Sequence, residues 1–254
     1  MAWDPGAYLS FGSERTRPAL ELLDRVLVDK PSIVVDLGCG PGNSTALLAA
    51  RWRDAWIEGV DSSPEMLSEA RLTVPGVQWT EADIAQWRPR ESPHVIFSNA
   101  VLQWVADHAD LLPRLMSYVA RGGALAFQVP CNFGEPSHVI VRDIARHGPW
   151  AGALDAVREK GDVLAAADYY DILEPQASHL DIWETTYLQV LDGEDAVFRW
   201  VSGTSLRPLL QALDGTQREA FRDECKRRLA TAYRQRPSGR TLFPFRRLFV
   251  VARR

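Results

Sequence analysis

The chain has 254 residues, of which 29 are Lys or Arg and 33 are Asp or Glu, so its formal net charge is −4. Domains usually contain about 100–200 residues, which allows one elaborated domain or two small ones. Hydrophobic residues make up 46% of the chain and charged residues 24%, which is typical of a globular protein and excludes a disordered one. A mildly acidic chain without a basic tract does not have the composition of a nucleic-acid-binding protein.

The three cysteines, Cys39, Cys131 and Cys225, are too few and too scattered for a disulfide framework or a zinc site. They favour a reducing compartment. The first residues lack the basic and apolar regions of a secretory signal. No apolar run reaches the roughly 20 residues that a membrane-spanning helix needs. We therefore expect a cytoplasmic protein that binds neither membrane nor nucleic acid.

The first half of the chain alternates short apolar runs with stretches of helical spacing. The spacing predicts helices over residues 18–28, 43–52, 63–73 and 107–118, and strands over residues 32–37, 55–60, 77–81, 94–98 and 124–129. Ser63 is the predicted N-cap of the third helix, with Pro64 in its first position. Strands that alternate with helices at this interval predict a parallel sheet with helices on both faces.

The second half is less regular. Helices are predicted within residues 135–175 and over 194–213 and 216–236, and strands over 180–191 and 241–252. No linker rich in Gly, Ser or Pro separates the halves. We therefore predict a single domain over residues 1–254, with a cofactor-binding core at 30–130. Two helical insertions, at 131–179 and 192–240, are predicted to form a lid over the substrate.

A glycine-rich loop, Gly38-Cys39-Gly40-Pro41-Gly42, follows the first predicted strand and precedes a helix. Such glycines let a ligand lie against bare backbone at the carboxyl end of the strand. The dinucleotide fingerprint G-x-G-x-x-G needs a third glycine at position 43, where this chain has Asn43. Asp36 precedes the glycines, repels a pyrophosphate and suits a ligand with an ammonium group. The loop alone is equally compatible with a tight turn that binds nothing.

Two further carboxylates follow neighbouring strands. Asp61 ends the second strand, where a carboxylate can accept both hydroxyls of a ribose. Asp83 follows the third strand and is placed to meet the amino group of an adenine, with Met66 and Ile84 covering the ring. Taken singly, Asp61 is also compatible with a helix N-cap and Asp83 with a solvated loop. Together, in this order, they favour a nucleoside site.

Four motifs resemble the class I S-adenosylmethionine-dependent methyltransferases: VVDLGCGPGNST at 34–45, GVDSSPEML at 59–67, EADIAQW at 81–87 and SNAVLQWV at 98–105. The resemblance implies a doubly wound, Rossmann-like α/β sheet of seven strands with an antiparallel last strand. It also implies S-adenosyl-L-methionine as cofactor and S-adenosyl-L-homocysteine as product. The cofactor-binding residues that it implies are Asp36, Gly38, Cys39, Gly40, Asp61, Ser62, Met66, Asp83, Ile84, Asn99, Ala100 and Val101.

Residues 8–23 and 98–108 resemble more closely a group of these enzymes that esterifies one carboxylate of a small tricarboxylate, trans-aconitate. A carboxylate is already ionised at pH 7, so its methylation needs a well-positioned nucleophile but no general base. We therefore predict no catalytic acid or base. His108 is the nearest base candidate, and we interpret it as a surface residue at a helix start.

A tricarboxylate substrate requires cations, and Arg binds carboxylates through two parallel hydrogen bonds. The leading candidates are Arg246, near the beginning of the last predicted strand, and Arg207, in the second insertion. Arg142, in the first insertion, and Arg15, near the N-terminus, follow. Trp200 and Tyr170 are the predicted aromatic contacts of the substrate, and Tyr8 or Phe11 is expected to cover the cofactor. Each of these residues is also compatible with an ordinary surface or core position.

Three other functions remain open from the sequence. The chain can methylate another small metabolite at carbon, nitrogen or hydroxyl, which a general base near the methyl group would favour. A nicotinamide oxidoreductase is disfavoured by Asn43 and by the acid before the glycines. A cofactor-binding module without catalysis is disfavoured by the intact acids and glycines. The oligomeric state stays open.

Overall fold

The computed structural model describes residues 12–155, 157, 163–203 and 205–254, although it does not describe the side chains of residues 12–15. By their contacts, the described residues form two compact units. Unit 1 comprises residues 12–130, 163–185 and 248–254. Unit 2 comprises residues 131–155, 157, 186–203 and 205–247. The single domain with two lid insertions stays a prediction.

Seven strands form one sheet within the described residues, in the order β3-β2-β1-β4-β5-β7-β6. The strands are β1 (Ile33–Leu37), β2 (Trp56–Asp61), β3 (Gln78–Glu81), β4 (Val95–Asn99), β5 (Ala124–Pro130), β6 (His179–Asp192) and β7 (Arg240–Arg253). Strands β1 to β5 pair in parallel. Strand β7 runs antiparallel to β5. The amide of Gly122, just before β5, donates to the carbonyl of Arg254, just after β7, so the start of one strand lies beside the end of the other. The predicted fold class is confirmed.

The helices of the described residues flank the strands in sequence. They are α1 (Gly12–Asp24), α2 (Asn43–Arg51), α3 (Pro64–Thr73), α4 (His108–Tyr118), α5 (Pro136–His147), α6 (Ala151–Leu154), α7 (Ala166–Leu173), α8 (Ala196–Ser202), α9 (Arg207–Ala212) and α10 (Gly215–Ala232). Short 3-10 helices span Leu102–Trp104 and Glu174–Gln176. None of these helices is long and apolar enough to cross a membrane.

Three predicted helices are wrong in their bounds. The helix expected over 216–236 ends at Ala232. The helix expected over 18–28 begins at Gly12 and ends at Asp24, after which Leu27 is 67% exposed. The helix expected over 194–213 is two helices, α8 and α9. Pro208 lies in the first turn of α9, where its missing amide costs nothing, whereas a continuous helix would need that amide.

The register of the parallel strands positions the loops that carry the candidate site. Asp36 of β1 pairs with Gly59 of β2 and with Phe97 of β4. Because parallel strands end at one edge of a sheet, the loops after β1, β2 and β4 meet there. Buried apolar side chains on β1, β4 and β5 fix this register in the core of unit 1.

Candidate functional site

The glycine loop of unit 1 borders a small cleft. The loop contributes Gly38, Cys39, Gly40 and Pro41, helix α2 contributes Asn43, Ser44 and Leu47, helix α1 contributes Thr16 and Ala19, and β4 contributes Asn99. Sequence reasoning missed the contribution of α1, because helical spacing alone does not show which side of the sheet a helix covers.

Glycine is required at position 38 for two reasons. Its φ is 74°, a backbone conformation that is strained for other residues. A Cβ atom there would also lie 2.3 Å from Cγ1 of Val101, so the side chain of Val101 packs directly on the bare backbone. The loop and the segment after β4 are therefore in direct contact at this position.

Asp36 is completely buried beneath this loop. Its Oδ2 accepts hydrogen bonds of 2.7 Å from the hydroxyls of Ser44 and Thr45, while Oδ1 has no partner among the described residues. Burial raises the pKa of Asp36 to about 6, although the two hydroxyls act in the opposite direction. Asp36 does not itself line the cleft, but Ser44, which it binds, does. The two hydroxyls after the glycines were visible in the sequence, and their role was missed.

Asp61 joins the end of β2 to the glycine loop. Its Oδ2 accepts from the amide of Gly40 and its Oδ1 from the amide of Ser63, both at 2.9 Å. Each carboxylate oxygen retains a lone pair for a ribose hydroxyl. The N-cap of α3 is Ser63, whose hydroxyl accepts from the amide of Met66 at 3.3 Å. The predicted cap is confirmed, and the alternative that Asp61 is that cap is wrong.

The residues predicted to hold the adenine do not line the glycine cleft. Asp83 lines a second cleft of unit 1 together with Glu58, Thr80 and Arg88. Its Oδ1 accepts from the amide of Ala85 at 2.9 Å. Of the remaining predicted contacts, Met66 and Ile84 are buried and Ser62 is exposed. The adenine contacts stay predictions.

The segment after β4 is held by side-chain hydrogen bonds. Asn99, which lines the cleft, accepts at Oδ1 from the side-chain Nε2 of Gln128 at 2.6 Å. Ala100 has a φ of 57°, a left-handed conformation that is uncommon for a residue other than glycine. Its carbonyl accepts from Nε2 of Gln103 at 2.6 Å. Strain of this kind concentrates at functional sites, where surrounding contacts maintain it.

His108 is only 1% exposed, so the prediction that it lies on the surface is wrong. Its Nε2 lies 2.8 Å from the carbonyl of Leu102, and its Nδ1 lies 2.8 Å from the hydroxyl of Tyr169. A carbonyl can only accept, so Nε2 carries a hydrogen and donates to Leu102. Nε2 thus binds the 3-10 turn after β4 and Nδ1 binds Tyr169 of α7, as expected of a structural histidine.

Three of the predicted substrate residues lie in unit 2. Arg246 is exposed, and its Nη2 and Nε donate to the carbonyl of Cys131 at 3.0 and 3.2 Å. Arg207 is half-buried at the start of α9. Trp200 is buried in the core of unit 2, where its ring lies 6.1 Å from that of Phe243 and 5.8 Å from that of Phe245.

The other candidates are spread over the chain. Tyr170 is half exposed on α7, in unit 1. Arg142, in unit 2, donates to the carbonyl of Phe133 at 2.8 Å. The side chain of Arg15, together with Tyr8 and Phe11, lies outside the described residues. The substrate contacts therefore stay predictions.

The cofactor-binding geometry of unit 1 fits S-adenosylmethionine. Asp36 offers a buried carboxylate oxygen without a partner in the described chain, which suits a cationic group. The open space at the bare backbone of Gly40 allows close approach of a ligand, and Asp61 retains acceptor capacity for a ribose. These residues would hold the cofactor.

Curated relatives match almost the whole chain. A trans-aconitate 2-methyltransferase from Azoarcus sp. (strain BH72) is 50% identical over 250 residues, which cover 98% of each chain. A trans-aconitate 2-methyltransferase from Methylobacterium radiotolerans is 48% identical, with 99% of this chain and 98% of the relative covered. The profile of a methyltransferase domain family matches residues 34–123.

Solved structures share the fold at low sequence identity. The YcgJ protein from Bacillus subtilis has a TM-score of 0.58 at 14% identity, over 94% of this chain and 99% of that one. Coclaurine N-methyltransferase, solved with N-methylheliamine and SAH, has a TM-score of 0.55 at 14% identity, over 94% and 72%. The family follows from the curated relatives: the chain belongs to the trans-aconitate 2-methyltransferase family and is an S-adenosylmethionine-dependent methyltransferase.

Proposed function

We propose that the protein transfers a methyl group from S-adenosylmethionine to a carboxylate oxygen of trans-aconitate and forms a monomethyl ester. The observation that carries this proposal is the similarity to enzymes of that name at 45–50% identity over nearly the whole chain. The acceptor is thus a small molecule. The cytoplasmic location expected from the composition stays a prediction.

The cleft of unit 1 supports a reaction without a general base. When bound, the cofactor supplies a methyl group on a positively charged sulfur, which a nucleophile displaces in line. Among the described residues that line the cleft, the one ionisable side chain is that of Cys39. Burial raises the pKa of its thiol far above the usual range, so it stays protonated at neutral pH. A carboxylate nucleophile needs no proton removed, whereas an amine or a phenol usually does.

The residues of unit 1 position the cofactor in this proposal. Asp36 attracts the ammonium group of the methionine part, and Asp61 accepts the ribose hydroxyls. The packing of the Val101 side chain on Gly38 and the hydrogen bond from Gln128 to Asn99 hold the loops in one arrangement. Such preorganisation increases the rate of methyl transfer, because the displacement requires the reacting atoms to lie about 3 Å apart and in line.

We further propose that the insertions at 131–179 and 192–240 form a substrate lid. Arg246 and Arg207 would bind substrate carboxylates, and Trp200 and Tyr170 would supply apolar contacts. The chemistry of arginine supports these assignments, since its guanidinium matches a carboxylate geometrically. Two of the four side chains, Arg246 and Tyr170, are exposed.

Transfer of a tritiated methyl group to a panel of di- and tricarboxylates tests the proposal. We expect trans-aconitate to be methylated with the highest kcat/KM, and the product to release methanol in mild alkali, as a methyl ester does. Amines, phenols and monocarboxylates of similar size serve as controls. A stable methylated amine or ether as the best product would favour the alternative, a methyltransferase for another small metabolite.

A further inference from the structure

Ala100 has an uncommon backbone conformation beside the glycine-loop cleft of unit 1. It is the first residue after β4, and its φ of 57° lies in the left-handed region, where the Cβ atom of an alanine is strained. Its neighbours on both sides belong to the site: Asn99 lines the cleft, and Val101 packs on Gly38 of the glycine loop. A strained conformation at such a place persists only where surrounding contacts hold it.

The backbone of Ala100 is hydrogen-bonded at both ends. Its amide donates to the carbonyl of Gln128 on β5 at 3.0 Å, a backbone bond that does not depend on the side chain at position 128. Its carbonyl accepts from the side-chain Nε2 of Gln103 at 2.6 Å. This second bond depends on the identity of residue 103, because only a side chain with a donor of that reach can make it.

The backbone around Gln103 is itself fixed. Gln103 is the middle residue of the 3-10 helix Leu102–Trp104. The carbonyl of Leu102 accepts from Nε2 of the buried His108 at 2.8 Å. The side chain of Gln103 thus reaches back from an anchored turn to a carbonyl three residues earlier in the chain.

The amide of Gln103 contributes little to the stability of the fold as a whole. The residue is 6% exposed, and its Oε1 is buried without a partner among the described residues. An unsatisfied buried acceptor costs about as much free energy as one hydrogen bond contributes, so the two effects nearly cancel. An apolar side chain of the same shape would therefore fill this position at similar stability. The amide is better explained by the conformation that it imposes on Ala100.

We propose that Gln103 is a positioning residue of the methyltransferase, whose side chain holds Ala100 in the left-handed conformation and so keeps Asn99 and Val101 in place at the cleft. Gln103 is not among the described residues that line the cleft, so it acts through Ala100 and not by contact with the cofactor. This inference rests on the proposed function only in that the cleft binds the cofactor. The identity of the methyl acceptor does not enter it.

Gln103→Met removes the donor at nearly constant size. Without the hydrogen bond, Ala100 relaxes towards a less strained conformation and displaces its neighbours. We expect the affinity for S-adenosylhomocysteine, measured by calorimetry well below Tm, to fall by about 2–13-fold, the value of one neutral hydrogen bond. Tm should change little, because an unsatisfied acceptor leaves together with the donor. Gln103→Leu is a second apolar variant, which gives the same measurement if the methionine variant does not fold.

A second substitution at Ala100 shows whether Gln103 acts through that residue. Glycine adopts a φ of 57° without steric strain, so Ala100→Gly removes the need for a side chain that holds this conformation. In the Ala100→Gly background, Gln103→Met should therefore cost no affinity for S-adenosylhomocysteine. A side chain that merely stabilises the fold would not show this dependence, since the measurement is made on folded protein.

Lys30→Gly is the matched control. Lys30 also has a left-handed conformation, with a φ of 46°, and is exposed. It lies before β1, whereas the glycine loop follows β1, so the two are at opposite ends of that strand. The substitution relieves backbone strain in the same way, but in the Lys30→Gly background Gln103→Met should keep its full loss of affinity.

Each outcome decides the proposal. Wild-type affinity in the folded Gln103 variants would overturn it, whatever their Tm. A loss that persists in the Ala100→Gly background, or that Lys30→Gly relieves equally well, would overturn the action through Ala100. If the wild-type protein does not bind S-adenosylhomocysteine, the proposed function itself fails, whereas a wild type that binds and variants that bind equally well contradict the role of Gln103 alone.

Discussion

The hydroxyl of Ser44 donates a 2.7 Å hydrogen bond to the carboxylate of Asp36, which is completely buried. The bond ties the first turn of α2 to the end of β1 across the glycine loop. Thr45 makes a second such bond to the same oxygen, and the other oxygen has no partner in the described chain. A carboxylate held in this way destabilises the unliganded protein when it is ionised.

The substitution Asp36→Asn tests whether ionisation of this buried carboxyl lowers the folding stability as pH rises. Burial raises the folded pKa from 3.8 to about 6, so folding favours the protonated form. The destabilisation is therefore absent below about pH 3.8, grows between these values and is complete above pH 6, at about 3 kcal/mol. Asparagine cannot ionise. In urea unfolding, the stability of the variant relative to the wild type should rise by that amount from pH 4 to pH 7. A difference independent of pH would contradict the assignment.

Gly38→Ala tests the contact with Val101. The new Cβ would lie 2.3 Å from Val101, and the positive φ adds about 1–2 kcal/mol of strain. We expect a lower Tm and weaker binding of S-adenosylhomocysteine. The double variant Gly38→Ala, Val101→Gly, which also removes the Val101 Cβ 2.7 Å from the new methyl group, should recover the steric part of the loss but not the backbone strain. No recovery would mean that the strain at φ, and not the packing, requires glycine.

The pH dependence of the rate tests the absence of a general base. We expect a flat single-turnover rate from about pH 6 to 8, because the substrate carboxylate, with a pKa near 4, is already ionised. In contrast, kcat/KM for the cofactor should fall below pH 6, where Asp36 of the free enzyme becomes protonated. Asp36→Asn should abolish that limb. If the single-turnover rate instead falls at acidic pH with a midpoint near 6.5, and His108→Gln removes that fall, His108 acts as a general base.

Replacement of Arg246 or Arg207 tests whether these side chains bind the carboxylates of the substrate. Arg246→Met and Arg207→Met should each lower kcat/KM for trans-aconitate by about 10–150-fold, the value of a hydrogen bond to a charged group. Affinity for S-adenosylhomocysteine should stay the same. Arg246 also donates to the carbonyl of Cys131, so Tm must be measured alongside. If both variants keep the wild-type preference for trans-aconitate over a monocarboxylate, the specificity pocket lies elsewhere.

Local patterns were enough to predict most of the fold of unit 1. Strands β1 to β5 follow from short apolar runs, and the start of α3 follows from Ser63 and Pro64, because both signals act within a few residues. The break between α8 and α9 was missed although Pro208 marks it, since the apolar spacing continues through the break. The glycine loop and Asp61 were found for the same local reasons.

The features that were missed depend on residues far apart in the chain. His108 is buried because Tyr169, 61 positions later, packs against it and bonds its ring. Asn132 is buried without a side-chain hydrogen-bond partner among the described residues, which its turn-forming sequence does not indicate. The bonds from Ser44 and Thr45 to Asp36 were accessible in principle, since hydroxyls in the first helical turn after a buried acid are natural donors.

The proposed acceptor of the methyl group is a carboxylate oxygen of trans-aconitate. The wild-type protein, incubated with trans-aconitate and with cofactor labelled by ¹³C in the methyl group, gives a product whose NMR spectrum shows which atom carries the label. We expect a methoxy signal with a three-bond correlation to one carboxyl carbon and the loss of this signal on mild alkaline hydrolysis. A labelled methyl bonded to carbon, or no transfer to any tricarboxylate while the protein binds S-adenosylhomocysteine, would contradict it.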